Sequence, residues 1–382
     1  MLKAFVSLLL FAVDATHVAR YPKNYVLDLS KPAENRWDDL SPALLSYANR
    51  TFRGLIVEYL KRFPGKKSPG FSTPDEVEQQ MAGLISIFSE EEQQEMRSLA
   101  KGINIGRVVF AHLFNEIMMT PTCTSVIYKQ MDGTIIHGRN FDYLASVDSQ
   151  DFAYPLWNLV ADIQVYDGLT RVYNMTSVLG TIGALSGRNL GKGTSVSMDT
   201  RGKPFQNKGT AAAIVQRLQG LIESGSKIPM LLLRDVLQQG LDDNQVVQEL
   251  ATRDITSEIY FVAAGATTGK IIARSTTQAV KQLSIGSSEN GVVYPGGMNT
   301  SWYVAVTNYD WWVPLPKPSL IQKLFGFADK RIQGLVDGMN AWGQKDCTQK
   351  VFTSVLQSKP VRVFPNEFFY TLYSSVLAPA EE

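Results

Sequence analysis

Of the two cysteines in this chain of 382 residues, Cys123 and Cys347, the first stands where a nucleophile could work. Arg139 and Asp142 follow it in the stretch from Pro121 to Tyr143, Pro-Thr-Cys-Thr-Ser-Val-Ile-Tyr-Lys-Gln-Met-Asp-Gly-Thr-Ile-Ile-His-Gly-Arg-Asn-Phe-Asp-Tyr. A thiolate is the reactive form, and an ordinary thiol pKa near ~8.5 leaves little of it at acid pH. A nearby cation or base must raise that fraction, and Arg139 supplies a permanent charge. Apolar and β-branched residues flank Asp132-Gly133, which predicts two strands joined by a tight turn. A two-residue turn pairs Met131 with Thr134, and counting outward sets Asp142 opposite Cys123. Strict alternation then sends Arg139 and Asp142 to opposite faces. A bulge between them, near Gly138 and Asn140, would bring both to one site. His137 falls opposite Tyr128, with His17 and His112 far off in sequence, so it reads as a packed or surface residue. Neither a Cys-His dyad nor a metal site is expected, and no cofactor is implied. The bland readings are a buried cysteine on an ordinary strand or one structural bridge from Cys123 to Cys347.

The elements that must carry these residues change character at residue 123. Before it lie a short strand at residues 25 to 29 and amphipathic helices near 41–63, 74–88, 90–100 and 105–118. Ser41-Pro42 and Ser89 stand as caps. After it come strands near 159–166 and 169–178 around Asp167-Gly168, and a Gly-rich run at 179 to 194. Next are a strand at 195 to 199 and helices near 209–223, 228–239 and 242–252. Strands follow near 259–264, 270–275 and 302–307. Helices are expected at 319–342 and 347–357, then a last helical or irregular stretch. Strands, a helical block and strands again give an α+β protein with two sheets enclosed by helices.

Composition is that of an ordinary globular chain, 45% hydrophobic and 19% charged. A net charge of +1, with no Lys/Arg run longer than two, gives no case for nucleic acid. Residues 1 to 15 read as a signal peptide, with Lys3, an apolar core and Val13-Asp14-Ala15 as the cleavage site. A buried N-terminal helix is the alternative. Sequons at Asn49, Asn174 and Asn299 fit a glycosylated protein of the secretory route, hence a lysosomal or secreted location.

Cys-Thr-Ser at Cys123, followed by His-Gly-Arg-Asn-Phe-Asp-Tyr, resembles the acid ceramidase and N-acylethanolamine acid amidase family. The resemblance implies a cysteine N-terminal-nucleophile hydrolase with an αββα four-layer sandwich. It implies a precursor that cuts itself between Thr122 and Cys123, leaving a mostly helical α-subunit (16 to 122) and a catalytic β-subunit (123 to 382) as a heterodimer. The freed α-amino group of Cys123, with a reference pKa near ~8, would take the thiol proton. Asp142 would orient that amine, and Arg139 would favour the thiolate. Ser301 to Asp310 is similar to the family strand ending Thr-Asn-Tyr-Asp, so Asn308 would offer an amide N–H to the oxyanion; a turn asparagine is the plain alternative. Leu179 to Arg201 is similar to a family segment ending Asn-Glu-Arg, but Thr200 stands where the glutamate tied to self-processing is expected. Asp199, one residue earlier, replaces it only if the strand bulges. After Asp310, Trp311-Trp312 replace the family's usual arginine-rich continuation, so a shape-selective arginine is expected to be missing.

The family cleaves amides of fatty acids, N-acylethanolamines or ceramide. Such a substrate requires an apolar channel, for which Trp311 and Trp312 are candidates, and access to a membrane surface or lipid carrier. The helices at 41–63 and 319–342, with Lys61, Arg62, Lys323, Lys330 and Arg331, could lie on an anionic surface. Core-facing helices give the same pattern. Bile-acid or penicillin-type amidases look similar at Cys123, Arg139 and Asp142, and a non-processing lipid-binding homologue is the remaining alternative.

Overall fold

Six consecutive apolar residues, Ile259-Tyr-Phe-Val-Ala-Ala, form a strand buried along its whole length. Such a strand must be covered on both faces, and this sets the layering. The computed structural model describes residues 22–62, 73–118, 123–144, 156–201, 211–287, 297–313, 329–358, 361–362 and 369–378. Within them, β1 (Lys23–Asp28), β4 (Val160–Asp167), β5 (Thr170–Val178), β6 (Ser186–Asn189), β7 (Ser195–Thr200), β8 (Ile259–Ala264), β9 (Gly269–Arg274) and β10 (Ala279–Ser284) form one sheet in that order. A second sheet has the order β11 (Tyr303–Val306), β2 (Cys123–Lys129), β3 (Ile135–Leu144) and β12 (Phe369–Leu377).

The helices are α1 (Pro42–Arg62), α2 (Pro74–Gly83), α3 (Glu90–Leu99), α4 (Ile105–Met118), α5 (Ala211–Glu223), α6 (Pro229–Gln239), α7 (Asp243–Thr252), α8 (Asp329–Asp346) and α9 (Gln349–Gln357). Their starts are written locally: Thr73 with Glu76, Ser89 with Glu92 and Asp242 with Gln245 each close a capping box. Helices α6 and α7 lie on the large sheet, β2 and β3 pack against β7, β8 and β9, and α8 and α9 cover β2 and β3. The expected α+β, four-layer αββα arrangement is what this packing gives. Alternation along β8 divides the core accordingly. Phe261 and Ala263 join the cluster shared with α1 to α4 and α6, while Tyr260 and Val262 join the cluster shared with the small sheet, α8 and α9.

Several expectations change. The hairpin of β2 and β3 has one more turn residue than a two-residue turn, which shifts the register by one: Lys129 pairs with Ile135 and Cys123 with Phe141, not with Asp142. Gln130 N–H donates to the Thr134 carbonyl, and Gly133 takes a left-handed φ of 94° inside that longer loop. His137 accordingly pairs with Ile127 rather than Tyr128. The last stretch of chain is neither helical nor irregular but β12, antiparallel to β3. The Gly-rich run contains β6, and β10 is a further strand missed in sequence. The segment before residue 123 is mostly helical, yet its β1 pairs in parallel with β4 at the edge of the large sheet. Both cysteines are buried and unbridged.

Among the described residues no helix is long and apolar enough to cross a membrane. Asn299 is exposed, and Asn49 and Asn174 are half-buried with hydrogen-bonded side chains. The leader at 1 to 15, Thr122, Lys323 and the side chains of Lys61 and Arg62 lie outside the described residues.

Gly138 marks where α9 presses hardest on β3: a Cβ there would stand 2.4 Å from the Phe352 ring and 2.7 Å from Leu356. Gly138→Ala should therefore destabilise the protein by about 1–3 kcal/mol through overpacking, read as a lower midpoint of urea unfolding. An unchanged midpoint would show that α9 yields without strain.

Candidate functional site

The register puts Cys123, Ser125, Arg139 and Phe141 on the face of the small sheet that meets the large one, and Thr124, Asn140 and Asp142 on the face under α8. β7 answers from across the gap with Ser195, Ser197 and Asp199, all fully buried. The layer between the sheets is thus polar at the Cys123 end.

Arg139 is 1% exposed, and its donors are spent on several partners. Nη1 donates to the Leu185 carbonyl at 2.5 Å and to the Tyr373 hydroxyl at 2.8 Å, and Nη2 reaches the Met198 carbonyl and, at 3.6 Å, Cys123 Sγ. Asp199 Oδ1 lies 3.3 Å from Arg139 Nε. Phe141 sits under the guanidinium at 4.7 Å and stacks on Tyr373. β7 pairs with β8 without interruption, so the bulge on which replacement of the family glutamate by Asp199 depended is absent; Asp199 lies beside Arg139 from a regular strand. Thr200 contributes its carbonyl, which accepts from Asn308 Nδ2 at 2.7 Å.

Asp142 does point away from Arg139, and no bulge in the β2–β3 pairing brings them together. The irregularity lies in β12 instead, between Thr371 and Tyr373. It lets Thr371 Oγ1 donate to Asp142 Oδ1 at 2.5 Å on one face while Tyr373 meets Arg139 on the other. What joins Asp142 to Cys123 is Arg331 on α8. Its Nη1 donates to Asp142 Oδ2 (2.9 Å), Thr124 Oγ1 (3.2 Å) and the Cys123 carbonyl (2.6 Å), and its Nη2 to Asn308 Oδ1 (2.8 Å). Asn308 Oδ1 also accepts from the Cys123 backbone N–H at 3.0 Å. Asn308 therefore shows its carbonyl to Cys123 and its NH2 to Thr200.

Sequence reasoning missed Arg331 at the site and named it only among the charges near helices that could lie on a membrane surface or, the commoner case, face the core. It is 3% exposed, so the surface placement is corrected; an arginine does reach the site, 208 residues along the chain from Cys123. Nothing in local spacing signals it. Trp311 is buried against Tyr260, and the Trp312 ring lies under Arg201 and Lys281. A small apolar cavity of about 40 Å³ lies between the N-terminal helices and β3, lined by Phe52, Leu55, Phe114, Phe141, Leu156 and Leu185 among others.

In the intact chain, burial outweighs Arg139 and pushes the Cys123 thiol up to about 11. Burial also raises Asp142 and Asp199 to about 6, against the pull of Arg331 and Arg139 respectively. The Cys123 thiol is therefore held protonated. His137 is buried between Ser195 Oγ (3.1 Å from Nδ1) and Ser197 Oγ (2.9 Å from Nε2), and burial lowers it to about 3. It is a packed residue. Among the described residues no group of histidine, cysteine and carboxylates could hold a metal ion.

Removing one member of a buried ion pair leaves the other uncompensated. Arg331→Leu should cost about 3–5 kcal/mol, with part recovered in Arg331→Lys; equal stability of Arg331→Leu and wild type would refute the bridge. For His137 the folded value lies below the ordinary 6.5, so its contribution is full above 6.5 and is lost as pH falls toward about 3. Asp142 and Asp199 have the opposite sign: their contribution is full below 3.8 and is lost as pH rises through about 6. In His137→Gln the loss of melting temperature on acidification below pH 6.5 should shrink relative to wild type. Parallel profiles would show that His137 titrates in the fold as it does in the unfolded chain.

No protein-family model matches the chain. It is 27% identical over 286 residues to the N-acylethanolamine-hydrolyzing acid amidase of Rattus norvegicus, a match covering 74% of this chain and 66% of that protein. It is 24% identical over 351 residues to the acid ceramidase of Balaenoptera acutorostrata scammoni, covering 88% and 80%. The Caenorhabditis elegans N-acylethanolamine-hydrolyzing acid amidase is 25% identical over 393 residues, covering 99% and 95%. A solved structure of a Caenorhabditis elegans ortholog of that amidase superposes with a TM-score of 0.49 at 24% identity, over 68% of this chain and 94% of that one. Similarity thus runs along most of the sequence and not only through the block that begins at Cys123. Along most of its length the chain is similar to acid ceramidases and N-acylethanolamine-hydrolyzing acid amidases.

Proposed function

We propose that the chain is a lipid amidase made as an inactive precursor, which hydrolyses fatty-acid amides of the N-acylethanolamine or ceramide class through a thioester on Cys123. The observation that carries this reading is the setting of the Cys123 backbone nitrogen. In the uncut chain its N–H is already held by Asn308 Oδ1 at 3.0 Å, and Asn308 is fixed by Arg331, which also grips Asp142. Once the Thr122–Cys123 bond is cut, that nitrogen is an amine within reach of its own thiol. The amine can then take the thiol proton that burial otherwise retains. The names of the relatives supply the substrate class. Apolar side chains gather beside Phe141, the residue paired with Cys123, on the side of the N-terminal helices, although the cavity there, about 40 Å³, is too small for an acyl chain in the uncut protein.

In the reaction, Cys123 Sγ attacks the amide carbonyl and backbone N–H groups meet the oxyanion; the Asn308 NH2, expected there, is held by the Thr200 carbonyl in the uncut chain. The amine leaves with a proton, and water then releases the fatty acid from the thioester. Self-cleavage yields an α/β heterodimer whose α-chain keeps β1 in the large sheet and its helices in the shared core. Entry to the secretory route, with the lysosome or the outside as destination, goes with this reading.

Acid incubation followed by N-terminal sequencing tests it. Wild type should gain a chain beginning at Cys123 and hydrolyse an N-acylethanolamine or a ceramide; Cys123→Ala should stay whole and inactive. A wild type that stays whole and cleaves neither lipid would sink the proposal.

A further inference from the structure

Beside Cys123 a second ionic unit ties two strand ends together, and the chemistry described so far does not use it. Arg201 follows Thr200 at the end of β7, and Asp310 lies two residues beyond Asn308 after β11. Arg201 Nε donates to Asp310 Oδ1 at 2.7 Å and Nη2 to Oδ2 at 2.9 Å, the two-pronged geometry that guanidinium and carboxylate favour. The Tyr260 hydroxyl on β8 donates to Oδ1 at 2.5 Å. Arg201 is held in turn by the Arg274 carbonyl at 3.0 Å and by the Trp312 ring beneath it. One residue away on β7, the Thr200 carbonyl accepts from Asn308 Nδ2.

The same two segments are therefore joined twice, once by the clamp on Asp310 and once by the Asn308 amide. A side-chain amide has two faces, and turning it over exchanges its acceptor for its donors. With Asp310 immobile, the backbone at Asn308 is set against the Thr200 carbonyl. That contact takes the NH2, and Oδ1, which also accepts from Arg331 Nη2, is the atom facing the Cys123 nitrogen.

We propose that Arg201, Asp310 and Tyr260 form a positioning clamp that fixes which way the Asn308 amide presents itself to Cys123. The catalytic consequence rests on the amidase reading above; the orientation itself does not, and the two are tested separately. The first arm is spectroscopic and uses the full chain with Cys123→Ala, which stays uncut. The side-chain amide resonances of Asn308, assigned by their loss in Asn308→Ala, should move in Asp310→Asn and in Tyr260→Phe. Unmoved resonances in either folded variant overturn the clamp, and Tyr260→Phe decides alone if Asp310→Asn does not fold.

The second arm is kinetic and uses the processed enzyme. Asp310→Asn should lower kcat about tenfold or more with KM little changed, and Arg201→Lys should retain part of the rate. Adding Asn308→Ala to Asp310→Asn should cost nothing beyond Asn308→Ala alone, because both act through one amide. Additive losses overturn the clamp as a positioning device. If wild type lacks amidase activity while the resonances move as expected, the functional reading fails and the clamp stands.

Discussion

Two guanidinium groups and two carboxylates buried around one thiol are the constraint on which the rest of this structure depends. Arg139 with Asp199 lies between the sheets, and Arg331 with Asp142 lies between the small sheet and α8. Isolated charges in such places would be prohibitively costly; in equal numbers and close contact they are tolerated. The four come from β3, β7 and α8, so the pairs hold together elements that local sequence could not bring into contact. Carbonyls of Leu185, Met198 and Cys123 take up the donors that the carboxylates leave over. Such a set fixes a unique arrangement more than it adds stability.

The same burial explains how a reactive cysteine can be carried harmlessly. Desolvation outweighs Arg139 at Cys123, so the thiol keeps its proton while the nitrogen next to it is an amide. An amide nitrogen has no basicity to offer, whereas an amine at the same position does. On the proposed reading one backbone cut therefore changes the chemistry without moving the sheets. The hydrogen bond from the Cys123 N–H to Asn308 Oδ1 is already made in the uncut chain.

Much of the fold was legible because local rules write it. The helices of the first segment carry their own caps, and the strand of unbroken apolar residues at Ile259 announces a sheet covered twice. The strands that escaped notice are those whose evidence is not local. β12 was read as helical or irregular, and only its pairing with β3 reveals it. β6 hides in a Gly-rich run, where the strand preference of its residues is weak and neighbouring strands decide.

By itself the sequence pointed to Cys123 as the candidate nucleophile and determined the strand carrying it and the residue types that accompany it at Arg139 and Asp142. Spacing along a hairpin carries that much. It did not determine the register, because one extra turn residue is invisible to alternation yet shifts every facing pair. Nor did it determine the face from which Asp199 works, or that Arg331 is inside. Those depended on how two sheets and a distant helix close around Cys123. Contact across 208 residues leaves no periodic trace in a chain; only tertiary packing, which forces each buried charge to find its opposite, decided it.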